Sequence, residues 1–167
     1  MEASVLSVNL AEPRTIRWRG QDVWTGIFKE PVEGPVRAAG VSLEGDRQVD
    51  KRVHGGDAKA VYAYAREDYE WWEQELGREL PPGTFGENLT LRGVRVSGAP
   101  AGERWRVGSA LLEVTDPRLP CFKLGVKMND NRFLKRFTAA GRPGTYLRIV
   151  EEGEVAAGDV VEVVSPR

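Results

Sequence analysis

Apolar and polar residues alternate with a period of two along most of the chain, and glycines punctuate the alternation. SVLSVNL, residues 4–10, predicts a half-buried first strand. RTIRW and DVWTGIF flank Arg19-Gly20-Gln21, the pattern of a hairpin. KAVYAY (59–64) and ENLTLRG (87–93) read as two more strands. GERWRVGSALLEVTD (102–116) reads as a pair joined at Val107-Gly108-Ser109. The tail, GTYLRIVEEGEVAAGDVVEVV (144–164), gives strand, turn, short strand, Gly-Asp turn, strand. Short strands at this density predict a mainly β fold, a barrel or a sandwich.

Two segments change the period. In REDYEWWEQELGREL (66–80), Tyr69, Trp72 and Leu76 share one helical stripe, and Gly77 with the following Pro-Pro-Gly stops it. Trp71 points away from that stripe and is expected to cover a neighbouring loop or a partner chain. In NDNRFLKRFTAAG (129–141), Asp130 is placed to cap a helix whose apolar face is Phe133, Leu134 and Phe137, with Gly141 at its end. These are the two or so peripheral helices of the expected fold. No internal repeat, low-complexity tract or linker interrupts the pattern, so the expectation is one domain over residues 1–167.

Composition narrows the function classes. Apolar content of 41% and charged content of 29% suit an ordinary globular core. A formal charge of -1 gives no global attraction to nucleic acid or anionic membrane, so an anion site has to be built locally from cations. One cysteine excludes an internal disulfide. MEASVLSVNL has no basic start and no long apolar run, and no stretch has membrane-spanning length, so the expected location is cytoplasmic.

The candidate chemistry lies in three motifs. TDPRLPCFKLGVK (115–127) holds Cys121 between Pro117 and Pro120 on one side and Lys123 on the other, with Arg118 three residues before it. Prolines stiffen the approach and cations favour a thiolate, which suits a nucleophile or a soft-metal ligand; a buried small hydrophobe is the plainer alternative. The only histidine, His54, precedes Gly55-Gly56, a pair that serves a turn or lets a ligand approach the backbone. One histidine and one cysteine with no ligand spacing do not build a zinc site, while a Cys121–His54 nucleophile pair needs only spatial proximity. PGTFGENLTL (82–91) places Glu87 and Asn88 at the mouth of a predicted strand, as a tight turn or as a grip on a polar heterocycle. Arg47, Lys51, Arg52, Arg118, Lys123 and Arg142 are the cations available to a phosphate. Arg118 and Lys123 are expected to be solvent-accessible.

The order LEGDRQVDKRVHGGDAKAVYAYAREDYEWW, FGENLT, VTDPRLPCFKL, GRPGTYLRIVEEGEVAAGD resembles the MOSC domain family, named for the molybdenum cofactor sulfurase C-terminal domain. The nearest branch is the stand-alone YiiM-like proteins, associated with resistance to N-hydroxylated base analogues. The resemblance covers roughly residues 40–164 and implies a β-barrel of the pyruvate kinase type. It also implies a molybdenum-molybdopterin cofactor, readily lost on purification, with Cys121 as metal ligand and catalytic centre. Arg118, Lys123, His54, Glu87, Asn88, Arg47 and Lys51 are then the residues around the cofactor. The implied activity is reduction of N-hydroxylated compounds such as hydroxylaminopurines, with electrons from a separate protein and no nucleic acid or membrane partner; an oligomer is compatible. The alternatives are a Cys121/His54 transferase or hydrolase, and a non-catalytic molybdopterin or sulfur carrier. YiiM-like chains often continue into a small helical region, whereas this sequence stops at Arg167, so no C-terminal helical extension is expected.

Overall fold

A computed structural model describes residues 2–46 and 57–164. The alternating segments become strands at the expected places. β1 is Ser4–Leu10, β2 Arg14–Trp18 and β3 Gln21–Thr25. Arg19 and Gly20 turn the hairpin with φ of 49° and 75°, the left-handed pair that matches strand twist in a two-residue turn. β4 (Glu30–Val32), β5 (Val36–Ala39) and β6 (Ser42–Leu43) follow, short strands that their sequence did not announce. β7 is Val61–Ala65 and β8 Leu89–Arg92, with helix α1 (Arg66–Leu76) between them. β9 (Arg104–Val107) and β10 (Ala110–Pro117) form the second predicted hairpin. Then come α2 (Phe122–Lys127), α3 (Phe133–Ala140), β11 (Thr145–Glu151), β12 (Gly153–Val155) and β13 (Val161–Val164).

The main sheet runs β13-β9-β10-β11-β7-β8-β1-β4. Among the described residues only β7 and β8 are parallel, and α1 lies in the crossover that parallel neighbours require. The expected barrel is not closed by a continuous ladder. β1 spends most of one edge on β8, and gives Val8–Leu10 of the other edge to β4. Its first residues meet the far side through one bridge, Ser4 with Val160, and through Val5, Ala3 and Gly158–Val161 backbone bonds of 2.8–2.9 Å. The sheet therefore curls until the residues entering β13 meet the start of β1, and the seam is one isolated bridge with a few backbone bonds beside it.

β7 is buried on both faces, which is why VYAYA reads as almost uninterrupted apolar sequence. Val61, Ala63 and Ala65 point into the aliphatic core of the curled sheet, with Val8, Leu89, Leu91, Trp105 and Leu147. Tyr62 and Tyr64 point to a second, aromatic cluster of Tyr69, Trp72, Phe85, Phe133, Phe137 and Tyr146, which seats the helices on the sheet. Gly77 and Gly141 end α1 and α3 in left-handed conformation, as their sequence predicts. Asp130 stands two residues outside the α3 cap and accepts the Arg132 N–H at 2.9 Å. Trp71 covers the loop after α3, under the Arg142 guanidinium at 4.7 Å.

Candidate functional site

The Cys121 motif is built where β10 ends. Pro117 closes the strand, and the next two side chains part company. Leu119 is 82% exposed, while Arg118 turns inward and is only 6% exposed. Cys121 then caps α2 in extended conformation, φ -116° and ψ 171°, and its carbonyl accepts the Leu124 N–H at 3.1 Å. Its thiol is free and half-buried. The stiff loop expected around Cys121 is thus the entry to a short helix.

Arg118 does not stand in solvent. Its guanidinium donates to the Phe85 carbonyl and lies 4.7 Å above the Tyr62 ring and 5.9 Å from that of Phe137. Burial opposes its charge, but the neighbouring Tyr62, Tyr146 and Cys121 hold its pKa above the ordinary arginine value. Among the described residues no carboxylate pairs with it. A buried cation is kept here by aromatic faces and a carbonyl. Burial likewise pushes the Tyr62 hydroxyl up, against the pull of Arg118, and that hydroxyl donates to Pro143 at 2.7 Å.

The Arg118–Phe85 bond joins the second motif to the first. Gly83 and Gly86 take φ of 87° and 83°, and a Cβ on Gly83 would fall 2.3 Å from the Lys29 carbonyl. Only glycine permits that approach. Glu87 is fully buried; its Oε2 accepts from the Tyr69 hydroxyl (2.5 Å), the Thr90 hydroxyl (2.8 Å) and the Gly83 N–H (3.3 Å). Its Oε1 has no hydrogen-bond partner among the described residues. Burial raises its pKa, although these donors act against the shift. Asn88 is a junction: its Oδ1 accepts the Tyr62 N–H at 3.0 Å, and its Nδ2 donates to Asp46 at 2.9 Å and to the Asn9 carbonyl at 3.3 Å. Asp46 also receives Lys29 at 2.9 Å and the Ala11 N–H at 3.0 Å.

Arg118, Glu87 and Asn88 are therefore brought together, but as buried members of one network. Lys123 sits beside Cys121 and is half-buried. Arg142 pairs with Asp68 at 2.6 Å and packs on Trp71, so it serves the α1 contact. His54, Arg47, Lys51 and Arg52 lie outside the described residues, which resume at Asp57. Sequence reasoning missed Tyr62, Tyr69 and Lys127. Tyr62 had a signal, a polar tip on a ring in the otherwise apolar run VYAYA, and Tyr69 lay on the apolar stripe of α1 with a hydroxyl to satisfy. Lys127 had none: it reaches back from the end of α2 to donate to the Ile27 carbonyl at 3.1 Å and to that of Gly83. Burial brings its pKa down to about 8, with Glu87 working the other way. No group of three His, Cys, Asp or Glu among the described residues could hold a metal unaided.

The MOSC domain model matches residues 50–162. The uncharacterized protein YflK of Bacillus subtilis (strain 168) is 39% identical over 97% of this chain and 73% of its own length. A protein of Gibberella moniliformis named a reductase is 32% identical over 87% of this chain, which spans only 26% of that protein. The crystal structure of YiiM from Geobacillus stearothermophilus superposes with a TM-score of 0.79 at 32% identity, over 98% of this chain and 75% of that one. With the family match, these likenesses and the shared fold in agreement, this chain belongs to the MOSC domain family.

Proposed function

We propose that this protein is a molybdenum-cofactor-dependent reductase of N-hydroxylated compounds, hydroxylaminopurines among them. The observation that carries the reading is the meeting of the two motifs around Arg118, which leaves the only thiol half-buried next to a buried cation that no described carboxylate neutralises. The donor set fits the group. One soft thiol, with no carboxylate or imidazole cluster beside it among the described residues, suits a metal that arrives with its other ligands on an organic carrier. Cys121 would hold the metal, and Lys123, with Arg47 and Lys51, would serve the carrier's phosphate. When bound, the cofactor supplies the two-electron chemistry that removes an N–O oxygen.

The chain's own residues orient and insulate. Pro117 and Pro120 limit the backbone before the thiol, and the α2 cap sets its direction. Arg118 keeps a buried positive charge within electrostatic reach of the thiol, where burial strengthens its field. Glu87 and Asn88 act through the loop they hold, which places the Phe85 carbonyl on Arg118. In the net reaction an N-hydroxyl group takes two electrons and two protons and leaves as an amine and water. The electrons come from a separate donor protein. Likeness to YiiM and to a protein named a reductase supports this reading.

The test is the metal content of protein made by molybdenum-replete cells, with Cys121→Ser alongside. About one molybdenum per chain, a pterin released on denaturation, and loss of reduction in Cys121→Ser are expected. His54→Ala should retain measurable activity, whereas a Cys121–His54 nucleophile would lose as much by either change. Bound zinc without molybdenum, or full reduction by Cys121→Ser, overturns the proposal.

A further inference from the structure

Hairpin β2–β3 forms a sheet of its own and, among the described residues, pairs with no other strand. A two-stranded ribbon is marginal in water, so side chains must hold it in place. The holding contacts converge on α2. At the tip, Trp18 stacks on Phe122 with ring centres 4.0 Å apart and planes 24° apart. Phe122 is the first residue of α2 and directly follows Cys121. At the exit, Lys127, the last residue of the same helix, donates to the Ile27 carbonyl at 3.1 Å. Phe28 next to it lies 3.4 Å from the Arg14 guanidinium and 5.6 Å from Lys127. Trp24, opposite Thr15 on the ribbon, is 54% exposed, so the aromatic that packs is Trp18.

We propose that the β2–β3 hairpin is a strap across α2, and that the Trp18–Phe122 stack is the latch that controls access to the Cys121 sulfur. Two features suit it to opening as a unit. The tight Arg19-Gly20 turn keeps the ribbon rigid, and no ladder to the main sheet has to break. An aromatic stack is weak enough to open during turnover; its loss should shift the open fraction by a few-fold to about tenfold. The use of this latch in catalysis rests on Cys121 being the working atom, as proposed above; the latch itself does not.

With a single cysteine in the chain, thiol alkylation reads the latch without background. Metal-free protein near pH 7 is treated with iodoacetamide, and the labelling rate of Cys121 is measured. Trp18→Ala should label a few-fold to about tenfold faster than the native chain, Trp18→Phe within about twofold of it, and Trp24→Ala at the native rate. The faster rate in Trp18→Ala should not change with low urea, because local opening exposes little new surface whereas global unfolding exposes much. If Trp18→Ala does not fold, Phe122→Leu removes the other ring and carries the same expectation. A native labelling rate in the stack-breaking variant, or an acceleration that tracks urea, overturns the strap. Because no cofactor is present in this assay, its outcome is independent of the molybdenum measurement.

Discussion

Glu87 illustrates how one residue carries the local chemistry of the fold. Its carboxylate gathers the Tyr69 hydroxyl, the Thr90 hydroxyl and the Gly83 N–H without contact with solvent. The Tyr69 hydroxyl in turn accepts the Thr84 N–H at 3.1 Å. Tyr69→Phe keeps the ring and strands both partners, so it should lower stability by about 1–3 kcal/mol in urea unfolding. The pH dependence has a definite sign. Burial raises the folded-state pKa of Glu87 above 4.5, so its contribution is full at acid pH and is lost as pH rises through the raised value. Glu87→Gln imitates the protonated form and should flatten the fall in urea midpoint from pH 4.5 upward. Parallel native and variant curves would assign that slope to other groups.

Elements are joined by close backbone approach as much as by side-chain packing. The loop before β8 passes under the residues that follow β3, and Gly83 is the point of nearest approach. Gly83→Ala meets both a left-handed φ of 87° and the Lys29 carbonyl, and should cost more than the strain alone, on the order of 1–3 kcal/mol. Gly77→Ala, also left-handed but with open space around its Cβ, should cost only about 1–2 kcal/mol. Urea midpoints of the two variants separate collision from conformation. Equal losses would mean that Lys29 yields freely. The same loop carries Phe85 onto Arg118, so Gly83→Ala reaches the candidate site through the backbone.

On the scale of the whole molecule, two cores lie back to back on β7. The aliphatic core closes the curled sheet, and the aromatic core fastens the helices to it. Native-state hydrogen exchange should find the slowest amides in β7, β10 and β11, whose ladders have neighbours on both edges. The amides of β2 and β3 should exchange fastest among the strands, because no part of the main sheet protects them. Exchange of β2–β3 as slow as that of β7 would place the hairpin inside the cooperative fold. No helix among the described residues is long and apolar enough to cross a membrane.

The period-two segments, their glycine turns and the two longer helices were determined by the sequence itself. Each depends on neighbours a few residues away, as in β1, the Arg19-Gly20 hairpin and the Gly77 and Gly141 caps. The order of the HGG, FGEN and PRLPC motifs was equally plain, and so was the family. Only tertiary structure decided what their residues touch. α2 has six residues, too few to show a helical period, and it begins one residue after Cys121. β4, β5 and β6 are two to four residues long; β4 and β5 form because β1 and β12, distant along the chain, meet them, and β6 is added on β5 by a tight turn. Arg118 reads as a surface cation until Tyr62 and Phe137, far away along the chain, close over it. Asn88 reads as a turn residue until Asn9, Asp46 and Tyr62 converge on its amide. Whether a polar group faces water or a buried partner is settled by long-range packing, and a local pattern holds no record of that choice.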